Sequence, residues 1–168
     1  GWNVSGIGPQ RSKLAMLSSI LQREKIDACV IGETKLADGL KLNTLRDSGW
    51  HTLVKKRENT HNGGVALLVS PEWTAEEIDT QHEDVVCAQI SCDSASRTYT
   101  IIGTYIPYST DVQHSKDIMD GIQKLYHTHD NAIIIGDFNA HTGSIQEIQV
   151  GDGTIPPRIM EPNKHADS

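Results

Sequence analysis

The stretch Ala132-Ile133-Ile134-Ile135-Gly136-Asp137-Phe138-Asn139 joins four apolar residues, three of them β-branched, to a glycine and then an acid, an aromatic and a carboxamide. Its apolar half reads as a buried strand. The glycine gives the backbone room to turn or to approach a neighbour closely. In an extended segment Asp137 and Asn139, two apart, project to one face. Asp-Phe-Asn is a poor choice for packing, so a functional strand end is one reading and an Asx-turn is the other.

A second stretch repeats the pattern. Val30-Ile31-Gly32-Glu33 closes the apolar run Ala28-Cys29-Val30-Ile31 with glycine and an acid. Strand ends in layered α/β folds place functional groups along one rim of a rigid sheet. A lone strand-terminal acid more often caps a helix, pairs with a neighbour such as Lys35, or faces water, and Glu33 by itself favours that plainer account. Tyr105, before Pro107, has a hydroxyl able to reach a phosphate, although a half-buried aromatic with a wet tip is the commoner case. Asn3 is equally well a turn residue.

Working outward, strand and helix signals alternate. Trp2–Ile7 reads as a short strand. Arg11–Lys25 reads as a helix with Leu14, Leu17, Ile20 and Leu21 at helical spacing. A polar stretch with a short helix leads to a strand at Trp50–Val54. His61-Asn62-Gly63-Gly64 then marks a turn before the strand Val65–Ser70. Val85–Ser91 and Tyr99–Ile106 are two further strands. Asp111–Leu125 is predicted as a helix with Val112, Ile118, Met119, Ile122 and Leu125 on one side. Beyond Gly143 periodicity is lost, so residues 1–143 form one domain and 144–168 an irregular tail or truncated remainder. The mixture of hairpins and helical crossovers predicts an α/β sandwich with mixed sheets.

Bulk composition agrees. The 168 residues are 37% hydrophobic and 22% charged, with a formal charge of −7, which points to a soluble globular domain rather than a disordered or membrane chain. Net acidity argues mildly against a non-specific nucleic-acid binder but not against an enzyme meeting a polyanion through a divalent cation and a local basic patch. Cys29, Cys87 and Cys92 make no paired framework and fit reduced thiols. The N-terminus lacks the pattern of a signal peptide and looks like the start of a fragment, so a nuclear or cytoplasmic, intracellular setting without membrane attachment is expected. Among eight histidines, His127-Thr128-His129 lacks a third ligand at a zinc spacing. Lys55-Lys56-Arg57 is the strongest basic run, a candidate for substrate binding through a DNA backbone and equally a solvated hairpin face.

Trp2-Asn3-Val4-Ser5-Gly6-Ile7, Ile31-Gly32-Glu33-Thr34-Lys35, Gly63-Gly64-Val65, Tyr105-Ile106-Pro107 and Gly136-Asp137-Phe138-Asn139 stand in the order seen in the endonuclease/exonuclease/phosphatase superfamily. This resemblance covers residues 2–143. Gly-Asp-Phe-Asn-Ala-His with Gly-Gly-Val upstream looks most like the endonuclease domains of non-LTR retrotransposons. The resemblance implies a four-layer αββα sandwich and phosphodiester hydrolysis with Mg²⁺ or Mn²⁺. It makes Glu33 the principal metal ligand and Asn3 an organiser of the metal site. Tyr105 is then near the scissile phosphate, Asp137 orients or deprotonates the attacking water, and Asn139 holds phosphate or metal-bound water. It also implies DNA as substrate, with nicking for target-primed reverse transcription and a reverse transcriptase on the same longer polypeptide.

The chain departs from the family pattern at Ser5, where relatives often carry an acid, at Gly32, where they carry Gln, and at Tyr108, where they carry Asn. The family's C-terminal half supplies a further Asp and a Ser-Asp-His-like motif; nothing after Gly143 matches it. The fold is therefore expected to be C-terminally incomplete, with sheet edges that favour association. The rival readings are a decayed copy without turnover, a relative acting on RNA, phosphoinositides or phospholipid head groups, and a binding domain whose strand-end acids are caps.

Overall fold

The computed structural model describes residues 1–6, 11–35, 43–47, 49–57, 63–93, 97–108 and 110–139. Eight strands and three helices are described: β1 (Trp2–Asn3), α1 (Arg11–Arg23), β2 (Ala28–Gly32), α2 (Asn43–Asp47), β3 (His51–Lys55), β4 (Val65–Val69), β5 (Thr74–Ile78), β6 (Val85–Ser91), β7 (Tyr99–Tyr105), α3 (Val112–Thr128) and β8 (Ala132–Asp137). The expectations for residues 144–168, and for the turn residues His61 and Asn62, lie outside the described residues.

The strands form two mixed sheets of four, ordered β1-β2-β4-β3 and β5-β6-β7-β8. In the first, β1 runs parallel to β2, while β4 lies antiparallel to both β2 and β3. In the second, β5, β6 and β7 are antiparallel neighbours and β8 joins β7 in parallel. Period-2 alternation builds the layers. Val30, Leu67, Val86, Ala88 and Ile101 point between the sheets. Their neighbours Ile31, Ala66 and Leu68 face Leu17 and Leu21 of α1. Val85, Cys87 and Ile102 face Ile118 and Ile122 of α3. The result is the four-layer αββα sandwich that the family resemblance implies.

At Gly103 the two sheets approach closely, and a Cβ there would lie 2.8 Å from Val30 Cγ2. Helix α3 begins at an N-cap, Asp111, whose carboxylate accepts the His114 N–H at 2.9 Å. Its apolar face is narrower than the sequence predicts. Ile118 and Ile122 are buried, whereas Val112 and Met119 are 72% and 45% exposed. The helix lies over β7 with one stripe, leaving residues a quarter-turn away in water. The strand β5 went unpredicted because Glu76 and Glu77 face solvent at a sheet edge, where charge is normal.

Candidate active site

The fold brings five of the predicted residues to one rim. In the first sheet Asn3 is the register partner of Gly32, so Asn3 and Glu33 leave adjacent parallel strands side by side. In the second, Tyr105 is the partner of Asp137. The two halves touch: Asn3 Nδ2 donates to Asp137 Oδ2 at 3.2 Å. The Tyr105 ring lies on Gly32, where a Cβ would meet Tyr105 Cδ2 at 2.7 Å. Glycine at 32 therefore allows the aromatic to pass from one sheet across the other.

Backbone strain gathers at this rim. Ser5, Glu33, Lys35 and Asn139 all have positive φ, between 45° and 54°, outside the range that residues other than glycine prefer. Each such position costs about 1–3 kcal/mol and is retained where its surroundings hold it. Here main-chain bonds do so: Gly6 N donates to Glu33 O at 2.7 Å, Thr34 N to Gly64 O at 3.1 Å and Lys35 N to Gly63 O at 2.9 Å. Gly63 and Gly64 have φ of 95° and 85°, which only glycine adopts freely, so the Gly-Gly motif is the turn that clamps the Glu33 loop.

Asn139 corrects the strand-alternation argument. The strand ends at Asp137, and Asn139 is left-handed with φ 45°. Asp137 Oδ1 instead accepts the Asn139 N–H at 3.1 Å, the Asx-turn alternative, and Asn139 Nδ2 donates to Ile106 O at 2.8 Å. Asp137 thus uses one oxygen to shape its own turn and the other to bind Asn3.

The electrostatics separate the two halves. Glu33 is held below the usual carboxylate range chiefly by the hydrogen bond from Lys35, with Asn3 and Ser5 adding to it against partial desolvation. Lys35 Nζ lies 2.7 Å from Glu33 Oε1, so the plain expectation that this acid pairs with Lys35 is met as well. Burial raises the Tyr105 phenol first, and the charges of Glu33 and Asp137 raise it further. Its hydroxyl is therefore a neutral hydrogen-bond donor through the physiological range.

Among the described residues no group of three or more His, Cys, Asp or Glu forms a metal cage. The donors at the rim are oxygens: the Glu33 carboxylate, itself already facing a cation, and Asp137. That set suits a hard cation of the Mg²⁺ type, which keeps several waters and takes only one or two carboxylates plus substrate phosphate. Next to Glu33 the Thr34 hydroxyl is buried with no hydrogen-bond partner.

The basic run does not form one face. Lys55 Nζ pairs with Asp79 at 3.2 Å and with Glu77 at 3.8 Å. Arg57 is 13% exposed at its side chain and forks onto the buried Asp84. Lys56 is exposed. Asp84 was not legible in the sequence; an acid at the start of an apolar strand carries no local sign that it will be buried against a distant arginine.

A sequence profile of the Endonuclease/Exonuclease/phosphatase family matches residues 1–155. The chain belongs to that family. Among solved structures it is similar to the endonuclease domain of TRAS1, a telomere-specific non-LTR retrotransposon, with TM-score 0.62 and 12% identity over 83% of this chain and 58% of that one. It is also similar to an AP endonuclease from Archaeoglobus fulgidus, with TM-score 0.59 and 22% identity over 82% and 55%. A third is the 3′ phosphatase NExo from Neisseria bound to a product DNA hairpin, with TM-score 0.57 and 19% identity over 82% and 56%. At these identities the structures speak for the fold. The family member spans somewhat more than half the length of these chains. No curated protein sequence matches it. No helix among the described residues is long and apolar enough to cross a membrane.

Proposed function

We propose that this chain carries the metal-binding and water-orienting part of a phosphodiesterase that nicks DNA, of the non-LTR retrotransposon type. The observation that supports it most directly is the Asn3–Asp137 hydrogen bond, which joins the Glu33 half of the rim to the Asp137 half. Glu33, with Asn3 beside it, would hold Mg²⁺ or Mn²⁺, and the cation would neutralise charge on the phosphate oxygens. Asp137 accepts a proton from, or orients, the attacking water. Tyr105, neutral and under the charges of both acids, donates to a phosphate oxygen. Asn139 stiffens the turn that aims Asp137 and stands at the exposed rim, where it can meet the phosphate. Lys56, exposed, supplies charge for the DNA backbone, while Lys55 and Arg57 act through their intramolecular partners. In this reading the rest of the site, and a reverse transcriptase, belong to a longer polypeptide.

The test is nicking of supercoiled plasmid in Mg²⁺ or Mn²⁺ by the wild-type chain and by Glu33→Ala and Asp137→Ala. Removing either group should lower the rate by about 10²–10³-fold, the scale for a lost transition-state contact. A folded wild-type sample that nicks no faster than the two variants would sink the claim that this chain nicks DNA by itself. A fragment that needs the rest of the site, a decayed copy or a phosphatase acting on another ester would then stand in its place, and release of phosphate from a 3′-phosphorylated oligonucleotide singles out the last.

A further inference from the structure

The groups at the rim come from separate sheets: Asn3 and Glu33 from the first, Tyr105, Asp137 and Asn139 from the second. Apolar packing between the sheets holds them together but is non-directional, so it fixes their separation better than their lateral register. Directional contacts must set the register. One is the Asn3–Asp137 bond at the rim. A second, buried one lies behind it, where Arg57, just beyond β3, reaches across to Asp84 at the start of β6. Lys55 of β3 makes more exposed pairs to Glu77 of β5 and to Asp79.

This second contact is two-pronged. Arg57 Nε donates to Asp84 Oδ1 at 2.7 Å and its terminal nitrogen Nη2 to Oδ2 at 2.6 Å. Asp84 is fully buried, and His114 Nε2 of α3 lies 3.4 Å from the same Oδ2. Both ends of the pair lead to the rim. The Asp84 carbonyl accepts the Tyr105 N–H at 3.2 Å and the Thr104 hydroxyl at 3.0 Å. The Arg57 stem lies against Gly63, where a Cβ would be 2.9 Å from Arg57 Cδ. Gly63 in turn accepts the Lys35 N–H, and Gly64 the Thr34 N–H, in the loop that carries Glu33.

We infer that Arg57 and Asp84 are a positioning pair that sets the lateral register of the Glu33 half against the Tyr105–Asp137 half of the site, an inference that rests on the phosphodiesterase reading above. A buried ion pair contributes little net stability compared with apolar residues of the same volume. What the planar fork adds is a fixed geometry that a lysine cannot reproduce.

The experiment compares the wild-type chain with Arg57→Lys, Asp84→Asn and the double variant Arg57→Met/Asp84→Leu, each with 3-fluorotyrosine at position 105. Circular dichroism and thermal melts report folding, plasmid nicking reports kcat and KM, and the ¹⁹F resonance reports the Tyr105 surroundings. Arg57→Lys and Asp84→Asn should lose about 10–100-fold in kcat, the cost of misplacing a reacting group by about 1 Å, with KM little changed. The apolar double variant should recover the melting temperature but not kcat, and the ¹⁹F line should move or broaden in every variant. Recovery of both kcat and the wild-type line by the double variant would reduce the pair to simple packing and overturn the inference. So would a rise in KM alone with a shallower salt dependence, the mark of a phosphate contact. Should the wild-type chain nick nothing by itself, the claim that it is active alone fails, and the ¹⁹F line still decides the pair: an unmoved line in folded Arg57→Lys overturns it.

Discussion

Strands β2 and β8 are near copies in sequence and opposites in place. Each runs through apolar residues into glycine and an acid, Val30-Ile31-Gly32-Glu33 and Ile134-Ile135-Gly136-Asp137. Strand β2 lies between β1 and β4, and Val30 and Ile31 are 1% and 0% exposed. Strand β8 has β7 on one side only among the described residues, and Ile133 and Ile134 are 43% and 39% exposed. Similar local patterns thus give the same kind of strand end, each presenting a carboxylate at the rim. They do not say how many neighbours a strand has, because that depends on which other segments pair with it.

The largest expected effect follows from that contrast. Ile31→Ala removes a side chain enclosed by α1 and β4 and should destabilise by about 2–5 kcal/mol. Ile134→Ala removes one already half in water and should cost less than about 1 kcal/mol. Urea unfolding of the two variants checks the difference. Equal losses would mean that β8 is covered in solution, by a further part of the polypeptide or by a second copy.

The two glycines give the next contrast. At Gly136 a Cβ would collide with the Thr104 carbonyl oxygen of β7, a backbone atom that cannot step aside. At Gly32 the Cβ would meet the ring and stem of Tyr105, a buried side chain that would have to shift rather than a backbone atom. Gly136→Ala should therefore cost stability, about 1–3 kcal/mol on the scale of overpacked sites. Gly32→Ala should cost less in stability and more in rate, because it displaces Tyr105. If Gly32→Ala nicks like wild type, the seating of Tyr105 on Gly32 has no part in the chemistry.

Much of this architecture is legible in the sequence because each layer follows from alternation. Val85–Ser91 is read to the residue, and β2, β4, β7 and β8 to within two residues. Asn3, Glu33, Tyr105, Asp137 and Asn139 are legible through their places at strand ends and in motif order. What connects them is not. The Asn3–Asp137 bond spans 134 positions and the Arg57–Asp84 fork 27. Arginine in a basic run carries no local sign of its partner. Left-handed backbone at Glu33 and Lys35 is equally silent in sequence, since it is imposed by the neighbouring Gly63-Gly64 turn rather than by residue type.

The smallest effect tests whether the two acids act on one group. The folded state holds the Tyr105 phenol above its ordinary value of 10.0, by burial first, then by Glu33, then by Asp137. For a group whose folded value is raised, the associated stability is fully present below the unfolded value and lost as pH rises through the folded one. The chain should therefore lose stability above pH 10, where the unfolded phenol ionises before the folded one. At neutral pH Tyr105→Phe should cost only about 0.5–1.5 kcal/mol, the scale of a lost hydrogen bond. Above pH 10 the gap between Tyr105→Phe and wild type should close, because phenylalanine has no proton to lose. Spectrophotometric titration of the phenol in chelator, with Glu33→Ala and Asp137→Ala, orders the two charges. Both variants should bring the phenol down, Glu33→Ala further, since that carboxylate raises it more. A titration that responds to Asp137→Ala and not to Glu33→Ala would separate the end of β2 from the end of β8, and with it the single site that both strands are taken to serve.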